Sequence, residues 1–156
     1  TFPLTNSLAN NQTSSLKVLA REEDGFNVLT IKNLILIGDD FISKGEYDKA
    51  RGSYDQARIV AKELLSFYRD LGGAFRGIDA RIPKEMDSLG RKSLELLSEV
   101  NLRLAALFRS QDQPEIAVPL LIEVVRLMTP LTSQGRKAYQ NLFELGFVKT
   151  PYDFDK

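Results

Sequence analysis

The side chains best suited to chemistry in this sequence are basic, and they recur between residues 45 and 76. Five of them advance by 7, 4, 7 and 7 residues, which places them on one stripe of an α-helix: Arg51, Arg58, Lys62, Arg69 and Arg76. Such a basic stripe can dock against an acidic surface of a partner protein. It can also be a solvated face whose charge is balanced by Asp55, Glu63 and Asp70. The sequence leaves both interpretations open, and the solvated face is the simpler one.

Acidic side chains form a second cluster, at Asp39, Asp40, Glu46 and Asp48. Carboxylates can bind a divalent cation, but this cluster lacks the glycine and the ligand spacing of a calcium-binding loop. The sequence contains neither His nor Cys, which excludes imidazole bases, thiol chemistry and zinc sites built from these ligands. Because no nucleophile–base pair is visible, we predict a non-catalytic protein without a cofactor or a metal site.

The balance of charge bears on the partner. Lys and Arg together number 21, as do Asp and Glu, which argues against nucleic acid as a partner. No apolar run approaches the ~20 residues that a membrane-spanning helix needs. The chain begins at Thr1 rather than Met, so we expect a mature form after removal of a targeting segment, or an excised piece.

Helical periodicity runs through most of the sequence and predicts an all-α fold. The longest apolar stripe lies between residues 45 and 75, and comparable stripes predict helices at about 27–44, 83–110, 112–130 and 133–145. Gly72 and Gly73 predict a bend or fraying at the end of the second helix. Asp112 followed by Glu115 predicts the N-cap of the fourth. No alternation of period two indicates a strand.

Long helices joined by short connections favour an up-down-up-down four-helix bundle. We predict three parts: an extended N-terminal arm over residues 1–24 with a short helical turn around Leu16 to Leu19, the bundle over residues 25–130, and a short extra C-terminal helix with an irregular tail over residues 131–156.

A helical repeat is the alternative architecture. One window resembles the tetratricopeptide pattern, with nine residues in its characteristic places: Leu34, Ile37, Gly38, Phe41, Gly45, Tyr47, Ala50, Tyr54 and Ala57. A poorer trace lies about two repeats of ~34 residues further on: Leu104, Ala105, Phe108, Ala117 and Leu121. It departs from the pattern at Asp112 and Pro114, and the second helix continues past Lys62, where a repeat helix would end. This resemblance implies an adaptor that binds a protein or peptide partner.

A more specific resemblance covers residues 27–130. In order and spacing, short motifs are similar to those of the PsbQ family of photosystem II extrinsic subunits: Tyr47, Arg69-Asp70-Leu71, Pro83-Lys84-Glu85 and the polar connection Ser110-Gln111-Asp112-Gln113. The red-lineage (PsbQ-prime) members look nearer than the plant form. Tyr47 stands where the family usually has tryptophan, and the connection between Gly72 and Ile82 is long.

The PsbQ resemblance implies a non-enzymatic subunit in the chloroplast thylakoid lumen, peripheral to the membrane. Its partners would be the photosystem II core and other extrinsic subunits, with the basic stripe as the docking face. Such a subunit would stabilise the oxygen-evolving complex and help to retain its calcium and chloride without supplying metal ligands.

Overall fold

The computed structural model describes residues 25–153, so the predicted arm over residues 1–24 and the end of the tail lie outside the described part of the chain. Within these residues five α-helices follow one another: α1 (Val28–Ser43), α2 (Tyr47–Phe75), α3 (Arg81–Ser110), α4 (Pro114–Met128) and α5 (Ser133–Glu144). No strand occurs between residues 25 and 153. The predicted all-α class is confirmed.

Side-chain caps explain where two helices begin. The Asn27 side-chain oxygen accepts a hydrogen bond from the Thr30 amide at 3.0 Å, just before α1. The Thr132 hydroxyl accepts one from the Gly135 amide at 3.0 Å, just before α5. Both caps satisfy an amide that has no partner inside its helix.

The bend or fraying predicted at Gly72 and Gly73 does not occur at the end of α2. The helix continues to Phe75, and Gly72 is buried. A Cβ atom on Gly72 would lie only 3.1 Å from the Met86 Cβ of α3. The missing side chain therefore lets α2 and α3 approach closely, and this contact supports the helix through the two glycines.

The helices pack mainly against their neighbours in sequence. The interface of α2 with α3 is the most extensive, and smaller interfaces join α1 to α2, α3 to α4 and α4 to α5. Further contacts join α1 to α3 and α3 to α5, whereas the backbones of α2 and α4 do not approach each other. A helical bundle describes this packing. The up-down-up-down ring is not confirmed, because the backbone of α1 does not approach that of α4.

One apolar core runs through all five helices. Its fully buried large side chains include Ile31, Tyr54, Leu97, Leu104 and Leu121. Ala138 and Leu142 attach α5 to the same core. Gly38 is required beside Tyr54, because a Cβ atom there would overlap the ring carbon Cε1.

The same turn follows α1, α3 and α5. In each turn a residue in the left-handed conformation ends the helix: Gly45 (φ 72°), Asp112 (φ 58°) and Gly146 (φ 74°). The next amide then bonds to a carbonyl five residues earlier, in the closure known as the Schellman motif: Glu46 to Phe41 at 2.9 Å, Gln113 to Phe108 at 2.8 Å and Phe147 to Leu142 at 3.0 Å. The predicted N-cap at Asp112 is wrong, because this residue closes α3 and Gln113 precedes α4.

The spacing of these three turns is regular. The turn at Asp112 follows the turn at Gly45 after about two repeats of ~34 residues, and the turn at Gly146 follows after about one more. We call the difference in residue number between Gly45 and Asp112 the hairpin offset. The difference between Asp112 and Gly146 is the single-repeat offset. The two tetratricopeptide-like traces in the sequence are related by the same hairpin offset.

The tail after α5 is irregular up to residue 153, as predicted. It runs back along α5, where the Tyr139 hydroxyl donates to the Thr150 carbonyl at 2.6 Å. The rings of Tyr139 and Tyr152 meet edge to face with their centres 6.3 Å apart. These contacts hold the tail against α5.

Candidate partner-binding cleft

The five residues of the basic stripe do not line one surface. The residues at its two ends, Arg51 and Arg76, contact other side chains of the same protein. Arg51 lies 3.8 Å from Asp55, and its guanidinium lies 5.1 Å from the centre of the Phe108 ring. Arg76 lies 3.2 Å from Asp87. Contacts of this kind hold an exposed cation on the protein's own surface.

Arg58 is a structural residue. Its Nε atom donates to the side-chain oxygen of Asn101 at 2.7 Å, and its Nη2 atom donates to Glu123 at 3.3 Å. Asn101 is fully buried in α3 and donates in turn to the Leu120 carbonyl at 3.3 Å. Arg58 therefore ties α2 to α3 and α4, and its exposed fraction is only 23%.

The remaining two stripe residues border a cleft of about 190 Å³ between α2 and α4, which we call the basic cleft. Its lining combines cationic rims with apolar side chains: Lys62, Leu65, Ser66, Arg69, Leu97, Glu123, Arg126 and Leu127. The backbones of α2 and α4 do not approach each other, and the α3 residue Leu97 forms part of the lining between them.

The charge in the basic cleft is positive. Among residues 25–153, Glu123 is its only carboxylate, and the same oxygen of Glu123 accepts from Arg58 and from Lys62, each at 3.3 Å. Arg69 and Arg126 are exposed and have no ion-pair partner among residues 25–153. The cleft can therefore attract an anionic group, and its leucines can contact an apolar side chain of the same ligand.

A larger cleft, of about 530 Å³, lies between α3 and α5 and is less suited to an anion. It is lined by two cations, Lys137 and Arg103, and Arg103 is already paired with Asp39 at 2.9 Å and with Glu99 at 3.7 Å. We therefore regard the basic cleft as the candidate site.

The residues of the predicted acidic cluster do not form one site, because they take part in separate contacts. The Asp39 carboxylate accepts from the Tyr54 hydroxyl and from Arg103 Nε. Burial and this hydrogen bond raise the pKa of Tyr54 above its ordinary value. Asp40 pairs with Lys44 at 2.9 Å, and that hydrogen bond raises the pKa of Lys44. Between residues 25 and 153 no group of His, Cys, Asp and Glu side chains is placed to hold a metal ion.

Of the predicted docking residues, the structure brings Lys62 and Arg69 together and adds Arg126, which the stripe did not include. No local pattern connects Arg126 to α2, because it lies on another helix. The available signal was the hairpin offset between the two tetratricopeptide-like traces, which assigns Arg126 and Ile59 to equivalent positions.

The described part of the chain is thus an all-α bundle in which α2 and α4 enclose a basic cleft. Comparisons with protein-family models, with curated proteins and with solved structures gave no match for this chain. No helix within residues 25–153 is both long enough and apolar enough to cross a membrane. The resemblances found in the sequence stay predictions.

Proposed function

We propose that this protein is a non-catalytic, tetratricopeptide-like adaptor that binds another protein. The observation that carries the proposal is the recurrence of one helix-closing turn after α1, α3 and α5, separated by the hairpin offset and then by the single-repeat offset. Helical repeats of about 34 residues stack in rows and present extended surfaces to protein partners. The contacts of α3 with both α1 and α5 agree with such stacking.

The basic cleft selects the chemistry of the partner. Lys62, Arg69 and Arg126 offer three exposed cations beside the leucines of the lining, and the Glu123 carboxylate is already bound by Arg58 and Lys62. An acidic segment that carries leucine-like side chains would complement both properties. Charge complementarity of this kind speeds association and makes binding depend on salt.

The test is fluorescence anisotropy with a labelled amphipathic peptide in which leucines recur every three or four residues and glutamates fill the other positions. Reversing the cleft charges with Lys62→Glu, Arg69→Glu and Arg126→Glu should weaken binding at least ~10-fold, because attraction becomes repulsion. A control variant with Lys84→Glu, Arg91→Glu and Lys92→Glu has the same net charge on exposed α3 positions and should bind within ~3-fold of the native chain. Equal loss in both variants would contradict the cleft as the site.

A second candidate function is the PsbQ-like one, a lumenal extrinsic subunit that stabilises the oxygen-evolving complex and its calcium and chloride. The two long helices favour it: α2 has 29 residues and α3 has 30. The motifs Arg69-Asp70-Leu71 and Pro83-Lys84-Glu85 lie near the same end of this hairpin, as the resemblance requires.

Rebinding to salt-washed photosystem II membranes at low and high ionic strength tests this second candidate. Saturable rebinding that salt weakens, and that the triple cleft variant loses, would support a photosystem II subunit. If the native chain binds the acidic peptide but does not rebind to these membranes, the photosystem II function would be contradicted and the adaptor function would stand.

A further inference from the structure

The size of the basic cleft limits what it can hold. Its volume of about 190 Å³ is below the range of roughly 300–1,000 Å³ that is typical of sites for whole small molecules. One or two side chains of a protein segment suit a cleft of this size better than a nucleotide or a similar cofactor does. The size therefore agrees with a protein partner, and it directs attention to the single anionic group that the cleft would recognise.

Two of the cations that border the cleft are arginines without an available carboxylate on their own helices. On α2, the residues three and four positions away from Arg69 are uncharged: Leu65, Ser66, Gly72 and Gly73. On α4, the neighbours of Arg126 at these distances include one carboxylate, Glu123. That carboxylate already accepts hydrogen bonds from Arg58 and Lys62. Both guanidinium groups are also exposed, so they can bind a ligand.

The polar groups of the cleft come from both of its walls. Lys62, Ser66 and Arg69 are spaced by four and three residues, so they lie on one side of α2. Arg126 lies on α4, which forms the other wall. A group held between the walls would therefore receive N–H donors from two directions, and an O–H donor from Ser66.

These donors match a phosphoryl group better than they match a carboxylate. A phosphorylated serine carries a charge of about −1.5 to −2 at pH 7 and has three terminal acceptor oxygens. The carboxylate of glutamate carries a single charge and has two oxygens. Guanidinium groups bind phosphate through paired N–H donors, and charge-assisted hydrogen bonds of this kind are roughly twice as strong as neutral ones. Lys62, Arg69 and Arg126 together supply the positive charge that balances a dianion.

We propose that the basic cleft recognises a phosphorylated serine side chain of the partner, an inference that rests on the adaptor function proposed above. Arg69 and Arg126 bind the phosphoryl oxygens from the two walls, and the Ser66 hydroxyl donates to the same group. Leu65 and Leu127 are half-buried and contact an apolar side chain next to the phosphoserine. Phosphorylation of the partner then controls whether it binds.

Fluorescence anisotropy with four labelled peptides tests this proposal. The first is the acidic amphipathic peptide of the adaptor test, and it reports on the adaptor function itself. The other three keep its leucines, replace its glutamates with glutamine, and carry serine, glutamate or phosphoserine at one central position. The phosphoserine peptide should bind at least ~10-fold more tightly than the single-glutamate peptide, because it supplies more charge and a third oxygen.

The outcomes separate this inference from the function on which it rests. Equal affinity for the phosphoserine and single-glutamate peptides, with the acidic peptide still bound, would overturn phosphoserine recognition and leave the adaptor function standing. If none of the four peptides binds, both proposals are contradicted.

Conservative variants show whether the two arginines act through more than their charge. Arg69→Lys together with Arg126→Lys keeps both positive charges but removes the paired donors. This variant should bind the phosphoserine peptide at least ~5-fold more weakly than the native chain does, while its affinity for the acidic peptide changes less than ~2-fold. The matched control, Arg81→Lys with Arg91→Lys, changes two exposed arginines of α3 and should bind both peptides as the native chain does. An equal loss for both peptides, or no loss for either, would show that the arginines do not distinguish a phosphoryl group from carboxylates, and the proposal would be wrong.

Discussion

The α1–α2 and α3–α4 hairpins share a turn and a set of equivalent positions, yet they differ in what lies on their outer side. The α3–α4 hairpin is covered by α2, and the contact combines leucines with the Arg58–Glu123 ion pair. The α1–α2 hairpin carries aliphatic side chains at the same positions, open within residues 25–153. The comparison shows that one hairpin does not bury its own apolar surface, because part of that surface is buried by the preceding helix.

Length is a second difference between the helices. α2 and α3 have 29 and 30 residues, whereas α1 and α4 have 16 and 15. The far end of the α2–α3 hairpin therefore has fewer neighbours, and large apolar side chains are exposed there: Phe67 (55%), Leu71 (48%) and Ile78 (79%). Two of the PsbQ-like motifs, Arg69-Asp70-Leu71 and Pro83-Lys84-Glu85, lie near that end, whereas Tyr47 and Ser110 lie at the opposite end of the hairpin.

The largest expected effect compares Leu104 with its counterpart Ile37. Leu104→Ala should cost about 2–5 kcal/mol of unfolding free energy, because it leaves a cavity in the apolar core. Ile37→Ala should cost about 2 kcal/mol or less, because that side chain is 47% exposed. Urea unfolding of both variants checks the difference, with the exposed Leu131→Ala as control. Equal costs at the two positions would break the comparison between covered and open hairpins.

The next effect concerns the close contact between α1 and α2. Gly38 lies against Tyr54, whereas the hairpin offset assigns Ala105 and Leu121 as their counterparts. Gly38→Ala should destabilise the chain by about 1–3 kcal/mol, because its Cβ would overlap the Tyr54 ring. In a Tyr54→Leu background the same substitution should be nearly neutral, since that pair matches the second hairpin. A double-mutant cycle measures the coupling, and additive effects would show that the two hairpins do not follow one packing rule.

Local periodicity accounts for what the sequence predicted well. The five helices follow from apolar spacing, because each stripe reports on its own segment. Helix packing depends on contacts between residues far apart in the sequence, which spacing within one helix does not report. The spacing within α2 therefore grouped five basic residues but did not show that Arg126 of α4 lies beside two of them, Lys62 and Arg69. Asp112 shows the same limit. Its pattern with Glu115 is typical of an N-cap, but the closure of α3 takes the residue into the left-handed region.

Within the basic cleft, Arg58 and Lys62 should respond differently to loss of charge. Arg58→Met should cost about 1–3 kcal/mol, because it leaves the buried Asn101 side chain and the Glu123 carboxylate short of a donor. Lys62→Met should cost less than about 1 kcal/mol, because its side chain is 48% exposed. Urea unfolding of both variants separates the structural cation from the surface one. A larger loss for Lys62→Met would reverse their roles.

The smallest effect is confined to alkaline pH and again distinguishes the hairpins. Burial and the Asp39 hydrogen bond raise the pKa of Tyr54, whereas its counterpart Leu121 cannot ionise. An unfolded tyrosine titrates near ~10, so the folded state holds this proton more tightly than the unfolded state does. The resulting stabilisation is complete below about pH 10 and is lost as the pH rises from there toward the folded-state pKa. Tyr54→Phe should therefore flatten the fall in unfolding free energy between about pH 9 and about pH 11. If the unfolding free energy falls with pH at the same rate in the native chain and in Tyr54→Phe, other groups cause the loss of stability at alkaline pH. The α1–α2 hairpin would then have no pH dependence of its own.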